Sequence, residues 1–217
     1  MDYIVDINRN YIIKISYFCI NNKKLGEYKI MKINKTATRP IGQATTGYTV
    51  IIGKREYIVL EKGNGTVGLI TKEPTKIMPF GKSSDYAESD VRAYCNGEFY
   101  KELCREVGPY YVIPHTVDCT AYDRSTDGPY LHDNVSILTF NRCGYFIDVQ
   151  LLPNMHVPPF WTATRYTATN KNKDYLDAVC TFGGAPRGRL LSYEDAIGVR
   201  PYFVLKASTP VLVPING

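Results

Sequence analysis

With 217 residues and 44% hydrophobic content, the chain can bury one sizeable core or two small ones. Its net charge of +5 is scattered rather than striped, which argues against a nucleic-acid interface built on phosphate contacts. No apolar run reaches the length of a signal sequence or a membrane span, so the sequence predicts synthesis in the cytoplasm without an export signal and without a span.

Residues 11–20 and 27–33 read as strands joined by a turn at 21–24, and two strands alone are marginal in water. Residues 1–33 are therefore expected to lie on the main domain or on a partner, either a second copy or another subunit. Met31 opens Met-Lys-Ile-Asn-Lys, which resembles a translation start and makes the preceding thirty residues a candidate upstream extension. Residues 36–46, polar and containing Pro40 and Gly42, read as a linker. The chain thus divides into a β-rich arm and linker over 1–46 and a domain over 47–217.

That domain opens with strands at 48–52, 56–60 and 66–70, turning at Gly53-Lys54 and Gly63-Asn64-Gly65 as a three-stranded meander. The clearest helix starts at Ser89 or Asp90 and repeats Val91, Cys95, Phe99 and Leu103 on one face until Gly108-Pro109 ends it. Asn96-Gly97 is its weak point, costing about 1 kcal/mol relative to alanine, and could divide the element. Residues 109–134 read as irregular, 135–139 as a short buried strand, and 140–152 as opening with a helical turn. Proline-rich 154–159 delivers the chain to Trp161, the only tryptophan. The last strand, 202–205, is entered through Gly198-Val199-Arg200-Pro201. An unpaired buried charge is too costly to keep, so Arg200 is expected to be buried against a carboxylate or several backbone carbonyls.

Taken in order, the strand pair, Ser89-Asp-Val-Arg92-x-Tyr-x-Asn-Gly-Glu-Phe-Tyr100, the strand at 135–139, Trp161-Thr-x-x-Arg165 and Gly198-Val-Arg-Pro201 carry a resemblance. Together they resemble an uncharacterised bacterial and phage domain family of C-type-lectin-like type. That superfamily also includes the variable proteins of diversity-generating retroelements and formylglycine-generating-enzyme-like domains. The likeness covers roughly residues 48–205. It implies an α+β fold, a C-type-lectin-like domain with antiparallel sheets and one or two helices, preceded here by the hairpin arm. It also implies a place on a virion or bacterial cell surface, and no established reaction. Arg92, Trp161, Gly198, Arg200 and Pro201 are read as structural residues of this frame.

Little in the sequence points to catalysis. Six cysteines at 19, 95, 104, 119, 143 and 180 form no Cys-x-x-Cys, and Cys95 and Cys104 share one predicted helix, so free and mostly buried thiols are expected. Asp123-x-Ser125-x-Asp127-Gly128 begins like a calcium loop, but Pro129 follows and Asn134 stands where a bidentate glutamate is needed, leaving a polar turn and no metal. The copper-binding cysteine pair of the formylglycine-generating branch is not met, because only Cys180 occurs in the C-terminal part, and no cofactor is expected. Among the histidines, His115, His132 and His156, none lies in a catalytic motif. A dyad of Cys119 or Cys143 with His115 or His132 is left open, since such partners meet only in the fold. Gly183-Gly-Ala-Pro-Arg-Gly188 reads as a glycine-rich loop and lacks the Lys-Ser/Thr of a phosphate-binding loop.

Residues 165–175 remain. Arg165, Tyr166, Asn170, Asn172, Asp174 and Tyr175, with Arg187 beside them, have the composition of a binding face, in which stiff aromatics anchor and polar groups adapt. In the retroelement-diversified lectin-like proteins that the chain resembles, the variable positions also fall just before the final strands. The expected function is a non-catalytic module that binds a protein or carbohydrate ligand on a cell surface, on a phage particle or a bacterial surface. A structural virion protein (capsid decoration or fibre assembly) comes second, and an enzyme of formylglycine-generating type third.

Overall fold

The computed structural model describes residues 2–6, 11–16, 34–82, 84–122, 124, 128–152, 159–165, 178–182, 185–189 and 197–214. They form a mixed α+β structure of mostly antiparallel strands, with a curled main sheet and two helices. No helix among the described residues is long and apolar enough to cross a membrane.

In the arm, β1 (Asp2–Asp6) pairs antiparallel with β2 (Tyr11–Ser16), and β2 pairs with β3 (Asn34–Pro40). The meander follows as β4 (Thr49–Ile52), β5 (Arg55–Gly63) and β6 (Thr66–Thr71). Its turns use left-handed backbone at Gly53 (φ 58°) and at the pair Asn64 (φ 49°) and Gly65 (φ 72°), the conformation tight hairpins require. After β7 (Lys76–Ile77) comes the long helix, in which α1 (Asp90–Tyr94) and α2 (Tyr100–Val107) are joined by a π-helical turn at Cys95–Phe99. The Ser89 hydroxyl caps it by accepting from the Arg92 N–H at 3.0 Å.

The π turn has a reason in the spacing. Apolar residues every four positions drift about 40° per step around an α-helix of 3.6 residues per turn. A local i→i+5 turn takes up that drift, and Val91, Cys95, Phe99 and Leu103 all remain on the buried face, none more than 2% exposed. The weak Asn96-Gly97 point thus widens the helix rather than dividing it.

Short strands β8 (Val112–Ile113), β9 (His115–Asp118), β10 (Tyr130–Asp133) and β11 (Val135–Ser136) follow. Helix α3 (Phe140–Asp148) is capped by the Thr139 hydroxyl. The C-terminal part supplies β12 (Phe160–Arg165), β13 (Ala178–Phe182), β14 (Ala185–Arg189), β15 (Gly198–Val199), β16 (Tyr202–Lys206) and β17 (Pro210–Pro214).

The main sheet runs β1-β2-β3-β17-β4-β5-β6-β16-β11, with β8 also on β16. A second sheet runs β14-β13-β12-β15-β7, and β9 pairs with β10. Strands β5, β6 and β16 are buried on both faces. Val59, Leu69 and Phe203 pack with Val91, Phe99 and Leu103 of the long helix, whereas Leu60, Ile70 and Tyr202 pack with Cys143 and Phe146 of α3. Near-continuous apolar runs are what two-sided burial demands.

Three readings of the sequence need correction. The polar stretch 36–46 is no linker. Its first residues belong to β3, which pairs along its length with β17, and Ile41 and Ala44 are buried in the core. Residues 109–134 contain β8, β9 and β10 rather than wholly irregular chain, and the glycine-rich run past residue 184 is strand β14, paired with β13. In each case ladder hydrogen bonds from a partner strand override weak local propensity.

Candidate functional site

The frame residues are packed inside. Trp161 is fully buried, its Nε1 donates to the Met78 carbonyl at 2.8 Å, and its ring meets Phe80 edge-on at 5.3 Å. Arg200 is 1% exposed, and its Nε and Nη2 donate to the single Thr71 carbonyl at 2.9 and 2.8 Å. Its guanidinium also lies 5.0 Å from the centre of the Phe160 ring. That partner set is sparser than a carboxylate or several carbonyls, and burial pulls the Arg200 pKa down to about 10. Arg92 holds the buried Asp133 carboxylate through Nε and Nη2, with the shortest bond at 2.7 Å. Gly198 lies so close to Pro74 that an added Cβ would come within 2.6 Å of it, and the buried Pro201 accepts the Thr71 N–H through its carbonyl at 3.0 Å.

Of the expected binding residues, Arg165 is half-buried at the end of β12, where its carbonyl accepts from the Tyr122 N–H at 2.8 Å. Arg187 lies in β14 opposite Cys180. Tyr166, Asn170, Asn172, Asp174 and Tyr175 lie outside the described residues, as do Asp123, Ser125 and Asp127 of the calcium-like run.

One feature near Arg165 is absent from the sequence expectations. A cleft of about 280 Å³ opens between β9, the β11–α3 turn and the far end of β12, and is lined by His115, Ser136, Thr139, Asn141, Arg142 and Thr164 among others. Three of its lining residues, His115, Ser136 and Arg142, belong to a polar network with Glu61 and Tyr202. His115 Nε2 and the Ser136 hydroxyl are 2.8 Å apart, and the imidazole stands edge-on to the Tyr202 ring at 5.0 Å. Arg142 lies over that same Tyr202 ring at 4.5 Å, and its Nη2 donates to the Tyr202 hydroxyl at 3.1 Å and to the Glu61 carboxylate. Tyr202 in turn donates to Glu61.

The backbone makes room for this cluster. A β-bulge between Val59 and Glu61 sets Glu61 opposite Gly68, and bulges re-aim side chains in this way. A Cβ on Gly68 would lie 2.6 Å from the Tyr202 hydroxyl and 2.8 Å from Glu61 Cγ. Any side chain there would have to displace the Tyr202 hydroxyl or Glu61.

Electrostatics define what the cleft can do. Burial, reinforced by the positive charge of Arg142, lowers the His115 pKa to about 4, so the ring is neutral at pH 7. Burial disfavours the charge on Arg142 as well, but Tyr202 and Glu61 outweigh it and its pKa rises. A serine beside a neutral histidine has the outline of a nucleophile and base. Yet an efficient base has a pKa near the working pH and an orienting partner on its second nitrogen. His115 has the low value just given, and its Nδ1 is buried with no hydrogen bond of good geometry. The cysteine–histidine pairings left open by the sequence do not form. Both described histidines pair with hydroxyls, His132 with Thr116 at 3.4 Å. Burial pushes the Cys119 and Cys143 thiols up to about 12.

His115, Ser136, Arg142, Glu61 and Tyr202 come from five separate elements, with Glu61 and Tyr202 141 positions apart. No local motif could have announced them; the Thr139 cap that starts α3 was the one readable signal nearby. Compared with known protein families, curated proteins and solved structures, the chain matches none of them.

Proposed function

We propose that this chain is a C-type-lectin-like, non-catalytic binding module displayed on a phage particle or bacterial surface, and that the cleft beside Arg165 forms part of its ligand site. The observation that carries this reading is the cleft itself, a concave polar surface held on buried strands, whose one serine–histidine pair is tuned for hydrogen bonding rather than turnover. The antiparallel curled sheet with two helices, and the burial of Trp161 and Arg200, support the lectin-like frame. The test is binding of the labelled full chain to a panel of bacterial cells, compared with Asn141→Ala and Thr116→Val. Both residues are exposed lining positions whose exchange leaves the core untouched. No binding to any cell, or binding unchanged in both variants, refutes the reading.

The second reading, a structural virion subunit that assembles through residues 1–33, is favoured by one observation. Strand β1 ends the main sheet and is hydrogen-bonded only to β2 among the described residues, and an open edge is a template for another chain's strand. Light scattering on the full chain tests it. A concentration-independent monomer counts against assembly through the arm.

A further inference from the structure

We propose that the β9–β10 ribbon is a proton-operated latch on the cleft, closed while His115 is neutral and released in mild acid, so that a ligand held at pH 7 is shed as the pH falls. The inference rests on the binding-module reading above and adds its regulation.

The placement of His115 singles it out. Strand β9 supplies one wall of the cleft and the β11–α3 turn another, and the 2.8 Å contact between His115 Nε2 and the Ser136 hydroxyl joins the two. Among the described residues, β9 and β10 pair only with each other, and a two-stranded ribbon is marginal by itself. The chain enters it from β8 through the exposed Pro114, and its outer end at Asp118 and Tyr130 is exposed as well. Val117, Cys119 and Leu131 pack into the core beneath it, so the polar contacts at its base add to a small apolar anchor.

The charges around His115 are already paired. Arg142 on α3 lies over the Tyr202 ring of β16 at 4.5 Å, the same ring that the imidazole meets edge-on at 5.0 Å. An imidazolium would therefore share one ring with a guanidinium. Glu61 on β5 accepts from Arg142 and Tyr202. Asp133 on β10, opposite His115 in the ladder, is held by Arg92 on α1. Asp118, further along β9, accepts the Thr120 N–H and hydroxyl. Arg142 and Arg92 thus offset Glu61 and Asp133, and a proton on His115 adds a positive charge to a closed base.

Protonation also makes both ring nitrogens donors. Nδ1 is buried with no hydrogen bond of good geometry, and a buried donor without an acceptor is costly. Swinging β9 outward hydrates the ring and separates it from Arg142. The sign follows from the lowered pKa, about 4 in the closed form against 6.5 for a free histidine. The closed form keeps its full advantage above pH 6.5 and loses it as the pH falls toward 4. The ribbon's other histidine, His132, is exposed and lies opposite Thr116, one position along the ladder, where side chains point to the other face.

Hydrogen exchange of the full chain, followed by NMR at pH 7.5 and pH 5, reads the latch without a ligand. Amides of β9 and β10 should exchange ahead of those of β5 and β6 at both pH values. Their protection should fall about 30-fold between the two, as the pKa difference requires. His115→Asn should remove most of that fall, and His132→Asn should keep it. Binding to cells should drop reversibly over the same range, with a flatter profile in His115→Asn. Ribbon amides that exchange together with β5 and β6, protection that ignores pH, or a fall that survives His115→Asn overturns the latch. Cell binding that is equal at both pH values also overturns it and leaves the module reading standing. Acid opening of the ribbon in a chain that binds no cell refutes the module reading and upholds the latch.

Discussion

Arg200 is the sharpest place to test the energetics of the frame. Holding its charge in the core costs about 3 kcal/mol, from a pKa lowered from 12.5 to about 10 at about 1.4 kcal/mol per unit. Against this stand two charge-assisted bonds to the Thr71 carbonyl, about 1.5–3 kcal/mol each. The Phe160 ring adds about 2 kcal/mol in a desolvated setting. The lowered pKa means that the charge itself is held at a net cost, so the harm of truncation should come from lost packing and the stranded Thr71 carbonyl. Arg200→Ala strands the Thr71 carbonyl and opens a cavity, for a net loss of about 3 kcal/mol. Arg200→Met keeps most of the volume and leaves chiefly the carbonyl, for about 1–2 kcal/mol. Urea unfolding of both variants, with unchanged slopes, measures the difference. The reasoning fails if methionine is as damaging as alanine, or if alanine costs under about 1 kcal/mol.

Gly68→Ala should lower stability by about 1–3 kcal/mol, because the new methyl collides with Tyr202 and Glu61; an unchanged melting temperature would show that the cluster yields freely. His115 binds its proton less readily folded (pKa about 4) than unfolded (about 6.5), so its contribution is complete above pH 6.5 and is lost as pH falls toward 4. That loss should reach about 2–3 kcal/mol, and in urea midpoints His115→Asn should flatten the slope across this window. Among Cys95, Cys104, Cys119 and Cys143, half-buried Cys104 should be alkylated first in the native protein. Peptide mass spectrometry should find Cys95, Cys119 and Cys143 labelled only after denaturation, since burial keeps their thiols protonated.

Local chemistry made much of the fold readable. Alternating apolar residues and the Gly53 and Asn64-Gly65 turns specified β4, β5 and β6, and Ser89, the four-residue repeat and Gly108 bounded the long helix. These features act within a few residues, where hydrogen bonds and side-chain period are set by neighbours in the chain. Strand β3 was unreadable for the opposite reason. Its polar sequence becomes a strand because β2 on one side and β17, from the far end of the chain, on the other supply its ladders. The cleft is the strongest case. Ser136 and Thr164 are unremarkable in sequence, and Glu61 reaches Arg142 and Tyr202 only because a bulge turns it and Gly68 leaves the space. Spacing along a chain cannot encode which distant hydroxyl will face which histidine. The packing of two sheets and a helix decides that, because only there do burial and neighbouring charge act on the same side chains.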